Sequence, residues 1–489
     1  MLRSLAVGLL LVAFFQPPPG YSLAAQRPAP QSAPQNAPNT GVSIGPNEGA
    51  FLILTDIHFD PFSDTDPSVA GKLSASPVEK WQAILESSAS QTPSRDGEDT
   101  NYPLLAAALR AARNSGVHYD YVIAPGDFLG HNFDKKYRDH RLDPARYSEF
   151  VVKTEVFVSR MIRQTFPSLP IYAALGNNDS EVRDYAAPGQ TLLLALSDEW
   201  KVFASDTNAV KTFRTGGYYA VPHPTVPTQE FIVLNTAFWS RNHPAGSASS
   251  GEDPGLAELD WLGSELVHLR SEHKSATLIL HIPPGIDVFA SSRPGNCEQS
   301  ASFWRDRYES SFLHIVSDSR DLLRDGYAGH IHMDDFRVLP DGGAPFFQIH
   351  IAASVSRDHH NESGFEIGVY DKSSGALDDY AIVFLTQSHP ESIAENIAGN
   401  TNATARVTLH EQLYDFRQLS GFTSVSPETL EVLSRLLLSS AMLRARFLDL
   451  FSAHSSASSA LSANWRPLAC AQTQITAADF AACACHASP

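Results

Sequence analysis

The sequence predicts an α/β layered domain, and two observations carry that expectation. Short apolar runs rich in β-formers recur along the chain, each closing in a cluster of Asp, Asn, His and Gly. Segments of helical character lie between several of these runs. Buried strands read as apolar runs of about 4–8 residues bounded by turn formers, and strands alternating with helices imply a sheet with helices packed on it.

The runs fall at 51–54, 121–124, 171–175, 231–234, 277–280 and 346–351. The helical segments between them cover 103–113, 148–164 and 256–270. The first opens on Pro103, which suits a first helical turn, and is stopped by Gly116. Beyond about residue 390 the pattern changes. Leu430, Leu433, Leu437, Leu443 and Phe447 recur at helical spacing across 427–451, and a Ser/Ala-rich break follows at 455–462. Residues 390–489 therefore read as a smaller, mainly helical C-terminal region, and 48–389 as the main domain.

At the other end, Arg3 precedes an apolar run at 5–15, and Ala24-Ala25 offers a small-residue cleavage site. Residues 1–25 thus read as a signal peptide, too short to span a bilayer, which takes about 20 apolar residues. The stretch 26–47, rich in Pro, Gln, Asn and Ala, reads as a flexible linker. These features place the protein outside the cytoplasm, secreted or periplasmic, with no stable membrane anchor. The four cysteines, Cys297, Cys470, Cys483 and Cys485, include no Cys-x-x-Cys pair. In an exported chain they favour disulfides over a metal knuckle, with the pairing open at this point.

The net charge is −18. No nucleic-acid-binding surface is evident, since a field of that sign repels phosphate backbones. A negatively charged substrate needs local positive charge, which bound metal ions can supply.

Five clusters, at least four of them at run ends, carry the chemistry. They are Asp56-Ile57-His58-Phe59-Asp60; Gly126-Asp127 with His131; Gly176-Asn177-Asn178-Asp179; His281-Ile282-Pro283-Pro284; and Gly329-His330-Ile331-His332. Asp-x-His sets two ligands on one face of an extended segment. Any one cluster is explained by turn chemistry. Ligands collected at successive strand ends are how α/β sheets build a site.

In this order the clusters resemble the calcineurin-like metallophosphoesterases, over roughly residues 50–340. Within that group, Asp56-x-His58-x-Asp60, His131, Leu234-Asn235, His281-Ile282-Pro283-Pro284-Gly285 and the Cys-containing tail resemble the acid sphingomyelinase-like phosphodiesterases. Gly176-Asn177-Asn178-Asp179 is also similar to the endopolyphosphatases. The resemblance implies a four-layer α/β/β/α sandwich and a disulfide between Cys470 and Cys483. It implies two divalent ions, zinc by this branch with iron or manganese as alternatives. One ion is held by Asp56, His58, Asp127 and His332, the other by Asp127, Asn177, His281 and His330. A hydroxide between the ions then attacks a phosphodiester. The family's usual His after Gly-Asn is Asn178 here, which cannot donate a proton as an acid, so His131 remains as the candidate acid. Asn235, His359 and His360 are weaker candidates for lining the substrate mouth. The alternatives are phosphoanhydride hydrolysis, of polyphosphate or nucleotides, and a catalytically silent binding module on the same scaffold. The expected partner is a small phosphoester or phosphoanhydride. The sequence does not set the oligomeric state.

Overall fold

In the computed structural model, which describes residues 42–64, 66–201, 206–244, 253–291, 300–387, 409–453 and 465–485, all six expected runs become strands. They are β1 (Glu48–Ile53), β2 (Tyr121–Ala124), β3 (Ile171–Ala173), β5 (Gln229–Val233), β6 (Ser275–Ile279) and β9 (Ala344–Ile351). Six further strands join them: β4 (Tyr219–Pro222), β7 (Leu323–Ala328), β8 (Asp335–Asp341), β10 (Ser363–Asp371), β11 (Leu377–Gln387) and β12 (Leu409–Asp415). The sequences of three of these hide them, whereas β11 holds an apolar run at 380–385 that was readable. β7 carries Arg324, Asp325 and Gly326, β8 carries Pro340 at a register shift, and β10 carries Gly364, Glu366 and Gly368.

The strands form two sheets, in the order β12-β11-β10-β1-β2-β3 and β4-β5-β6-β7-β9-β8. Within them β1, β2 and β3 run parallel, as do β5, β6, β7 and β9. The sheets meet through aromatic side chains. Phe51 of β1 packs edge-on to Tyr327 of β7 with ring centroids 5.2 Å apart. Tyr172 of β3 lies 4.5 Å from Phe231 of β5. Such pairs add about 0.5–1.5 kcal/mol beyond their buried area. Helix Tyr102–Arg113 packs on β10 with helix Tyr147–Thr165 beside it, and helix Pro254–Ser271 packs on β6 with helix Asp306–Asp318 beside it. The result is the expected α/β/β/α sandwich. Helix starts follow local chemistry. Asn101 accepts a hydrogen bond from the Leu104 N–H, and Asp253 from those of Gly255 and Leu256.

The C-terminal part departs from expectation in two places. Its first described element is a strand: β12 pairs antiparallel with β11 and extends the first sheet. The single helix expected over 427–451 is two, Pro427–Ser439 and Ala441–Phe451. Ser440 breaks it because its side chain accepts from the Leu443 N–H, so capping a new helix wins over continuing the old one. The tail packs on the second sheet's edge, where Val338 donates its N–H to the Gln472 carbonyl at 2.8 Å. Residues 38–489 form one contact unit. The segment 1–25 read as a signal peptide, most of the segment 26–47 read as a linker, and Cys297 lie outside the described residues.

Cys470 and Cys483 are joined, closing a loop with a separation of 13 residues, and Cys485 is also disulfide-bonded. A loop of that size constrains the unfolded chain by about 3 kcal/mol. Cys470→Ser/Cys483→Ser is therefore expected to lose about that much stability. Equal denaturant midpoints for variant and parent would show that the bond contributes nothing.

Candidate active site

The site forms where the parallel strands of both sheets end. Asp56 and His58 follow β1, Asp127 follows β2, Asn177 follows β3, His281 follows β6, and His330 and His332 follow β7. Main-chain bonds lock these ends together. Asp56 donates its N–H to the Gly126 carbonyl, His58 to that of Asp127, and Gly329 to that of His281. Two glycines of the clusters are explained by close approach. A Cβ on Gly176 would stand 2.1 Å from Asp127 Oδ1, and one on Gly329 would stand 2.3 Å from Asp56 Oδ2. Asp56, His58, Asp127, His330 and His332 all have positive φ, between 45° and 76°. Non-glycine residues held there cost about 1–3 kcal/mol each, and such strain concentrates at functional sites.

The seven side chains converge in two groups sharing Asp127. In the first, His332 Nε2 lies 3.0 Å from His58 Nε2 and 3.2 Å from Asp56 Oδ1, and His58 Nε2 lies 3.4 Å from Asp127 Oδ2. In the second, His281 Nε2 lies 3.2 Å from Asp127 Oδ2 and 3.1 Å from Asn177 Oδ1, with His330 close by. The far sides of the rings are committed. His58 Nδ1 bonds the Leu129 carbonyl and His281 Nδ1 the Pro125 carbonyl, each at 2.9 Å. A carbonyl accepts only, so each Nδ1 carries the proton and each Nε2 faces the cluster as a ligand atom. This all-N/O donor set, with nitrogens and carboxylate oxygens crowded together, fits divalent cations.

The electrostatics agree with that fit. Burial pushes the His58 imidazole down, but Asp127, Asp56 and Asp358 together outweigh it and hold the ring up at about 9. Burial likewise opposes the charge on Asp127, yet His281 and His58 keep its carboxyl well below the usual range. Burial and neighbouring His281 push His330 down to about 3. The carboxylates thus draw positive charge into the cluster, and a divalent ion there displaces the protons that otherwise supply it.

His131 stands at the edge of the first group, stacked on His58 with centroids 3.9 Å apart. Its Nδ1 bonds Asp99 at 2.8 Å and lies 3.3 Å from Asp358. Asp358 also meets His332 Nδ1 at 2.8 Å. Lys136 pairs with Asp99, and together with His131 it holds that carboxyl down at about 2 against burial. Asn178 is spoken for: its N–H donates to Asp127 Oδ1 and its Nδ2 to Asp127 Oδ2, both at 2.8 Å. His359, about half exposed, bonds His332 Nδ1 at 2.8 Å. His360 points elsewhere, to Asp96 at 3.2 Å, and is 63 % exposed. Asn235 is fully buried and donates its amide to the Gly216 carbonyl rather than into the cluster.

Four carboxylates escaped the sequence reading. Asp99 and Asp358 clamp His131. Asp358 stood beside the His359-His360 pair that drew attention, while nothing in the local sequence marks Asp99. Asp179 accepts the N–H groups of Gly176, Asp127, Phe128 and Leu129, and so clamps two strand ends together. Its position inside the Gly-Asn-Asn-Asp run was the available signal. Asp184 accepts from Asn177 Nδ2 at 2.8 Å.

Clustered His, Asp and Asn donors at converging strand ends of a two-sheet sandwich define a metal-dependent phosphoester hydrolase. Residues 49–334, more than half the chain, match the calcineurin-like phosphoesterase family, and the chain belongs to it. It is 25 % identical over 386 residues to the human cyclic GMP-AMP phosphodiesterase SMPDL3A, covering 76 % of this chain and 77 % of that one. It is 25 % identical to sphingomyelinase phosphodiesterase D of Dictyostelium discoideum, over 63 % of this chain and 65 % of the relative. An endopolyphosphatase of Neurospora crassa is 26 % identical over 59 % of this chain and 38 % of its own length. Among solved structures, a dimetal phosphatase from Danio rerio overlays with a TM-score of 0.39 at 12 % identity, over 68 % of this chain and 95 % of that one.

Proposed function

We propose that this protein hydrolyses phosphodiester bonds outside the cytoplasm, using two divalent ions, with zinc the expected metal. Asp56, His58, Asp127 and His332 hold one ion; Asp127, Asn177, His281 and His330 hold the other. The observation that carries the reading is the sharing of Asp127 Oδ2 between His58 Nε2 and His281 Nε2, at 3.4 and 3.2 Å. Ions held there would acidify a water and offset charge building on a phosphoryl group. His131 protonates the departing oxygen, with Asp99 and Asp358 orienting its ring and balancing its charge. Asn178 fixes the Asp127 carboxylate through its two donated bonds. His359 lines the mouth beside Phe289, whose ring lies 6.4 Å away. The location rests on the N-terminal signal-like segment and the disulfide-bonded tail. Among the described residues no helix is long and apolar enough to cross a membrane.

The endopolyphosphatase likeness at Gly176–Asp179 supports phosphoanhydride hydrolysis as a second reading. The two separate in one assay. Zinc-reconstituted protein is expected to turn over bis(p-nitrophenyl) phosphate faster than polyphosphate at matched concentration. Faster release of phosphate from polyphosphate would replace the first reading with the second.

A further inference from the structure

Asparagine is the one ligand candidate here whose two side-chain ends differ chemically: its oxygen binds a cation and its NH₂ does not. Something must choose which end faces the site. The segment after Asn177 folds back to do so. Asp184 accepts the Asn177 Nδ2–H at 2.8 Å, leaving Oδ1 to face His281 Nε2 at 3.1 Å. The next residue, Tyr185, donates its N–H to the Asn177 carbonyl at 2.7 Å. Tyr185 is held at φ 59°, in the left-handed region, and its own carbonyl accepts His243 Nδ1 at 2.8 Å. Its ring stands edge-on to His330, with centroids 6.3 Å apart. Asp184-Tyr185 thus touches two of the candidate ligands for one ion.

We propose that Asp184 is a positioning residue for the second metal ion: as a pure acceptor it forbids the flipped Asn177 amide and so presents Oδ1 to that ion. The inference rests on the reading of Asn177 as a ligand. It also sets the two ions apart. The first has three charged or imidazole ligands besides the shared Asp127. The second takes one neutral amide whose orientation depends on a side chain that reaches solvent at the mouth. Outer partners of metal ligands typically change affinity about 10–100-fold.

The test is a zinc titration of metal-free protein against a competing chelator, with no substrate present. The parent binds two ions. Asp184→Leu, similar in size but unable to accept, is expected to weaken the second ion about 10–100-fold and leave the first unchanged. Asp184→Asn, whose amide can accept or donate, no longer forbids the flip and is expected to weaken the second ion by less than Asp184→Leu does. Melting curves of the metal-free variants check that each folds, and the exposed position makes that outcome expected. Parent-like binding of both ions by Asp184→Leu overturns the inference. Equal weakening of both ions by Asp184→Leu also overturns it, because lost negative charge and not the orientation of one amide is then responsible. A parent that binds fewer than two ions sinks the two-ion reading itself.

Discussion

Asp127→Ala is expected to strip the protein of both ions and lower phosphodiester turnover by at least about 10³-fold. Loss of several kcal/mol of transition-state charge stabilisation corresponds to that factor. One oxygen, Oδ2, lies within 3.4 Å of His58 Nε2 and 3.2 Å of His281 Nε2, so its removal opens both groups at once. Asp56→Ala and Asn177→Ala each touch one group and are expected to leave one ion bound. The fold should survive at residue 127. The bonds that lock this loop run through its main chain: its carbonyl accepts from His58 and its N–H donates to Asp179. The residue sits at φ 55°, where alanine is less at ease than asparagine. Asp127→Asn is therefore the companion variant, since it keeps the backbone comfortable while removing the charge. Elemental analysis of both variants against the parent is the measurement. If Asp127→Asn still holds two ions, the shared-carboxylate arrangement is wrong.

How much of this was legible beforehand depended on where each residue gets its meaning. The ligand candidates could be read because geometry forces their neighbours too. Gly176 and Gly329 have no room for a Cβ, and four of the five clusters follow an apolar, buried strand. The motif and its scaffold are thus written in the same few residues. β10, with Gly and Glu among its apolar residues, was hidden because it draws its strand character from pairing with β1 and β11, whereas the apolar run at 380–385 in β11 was readable and passed over. The supporting carboxylates were equally hidden. Asp99 reaches His131 across 32 positions of sequence, and an acidic loop gives no local sign of that contact. His359 and His360 are adjacent in sequence and indistinguishable there, yet one bonds His332 and the other Asp96. Asn361 forms a sequon with Ser363. Its side chain is buried, and its Nδ2 already donates to Ser354, Ser356 and Glu362.

The second large effect separates His131 from Asn178. General acid catalysis contributes about 10²–10⁴-fold when the leaving oxygen is a poor anion, and little when it is a stable one. His131 is the ring with a carboxylate on Nδ1 and a position beside His58. Its alanine variant is expected to slow hydrolysis of alkyl phosphodiesters by about 10²-fold or more while changing aryl esters with a p-nitrophenolate leaving group only slightly. Asn178 carries no transferable proton, and its main-chain N–H and Nδ2 each donate to Asp127. Asn178→Ala keeps the main-chain bond to Oδ1 and loses the amide bond to Oδ2, so it should disturb aryl and alkyl substrates alike. Asn178→His is the sharper probe. If a proton donor is missing beside Asn177, the new imidazole raises the alkyl rate and leaves the aryl rate nearly unchanged. If Asn178 serves to hold Asp127 in place, histidine breaks that contact and slows both substrates equally, with metal content as the control. The structure favours the second result, because a side-chain amide that already donates to the shared carboxylate has a task. Selective loss of alkyl turnover in Asn178→Ala, with His131→Ala unchanged, would reverse the assignment of the two residues.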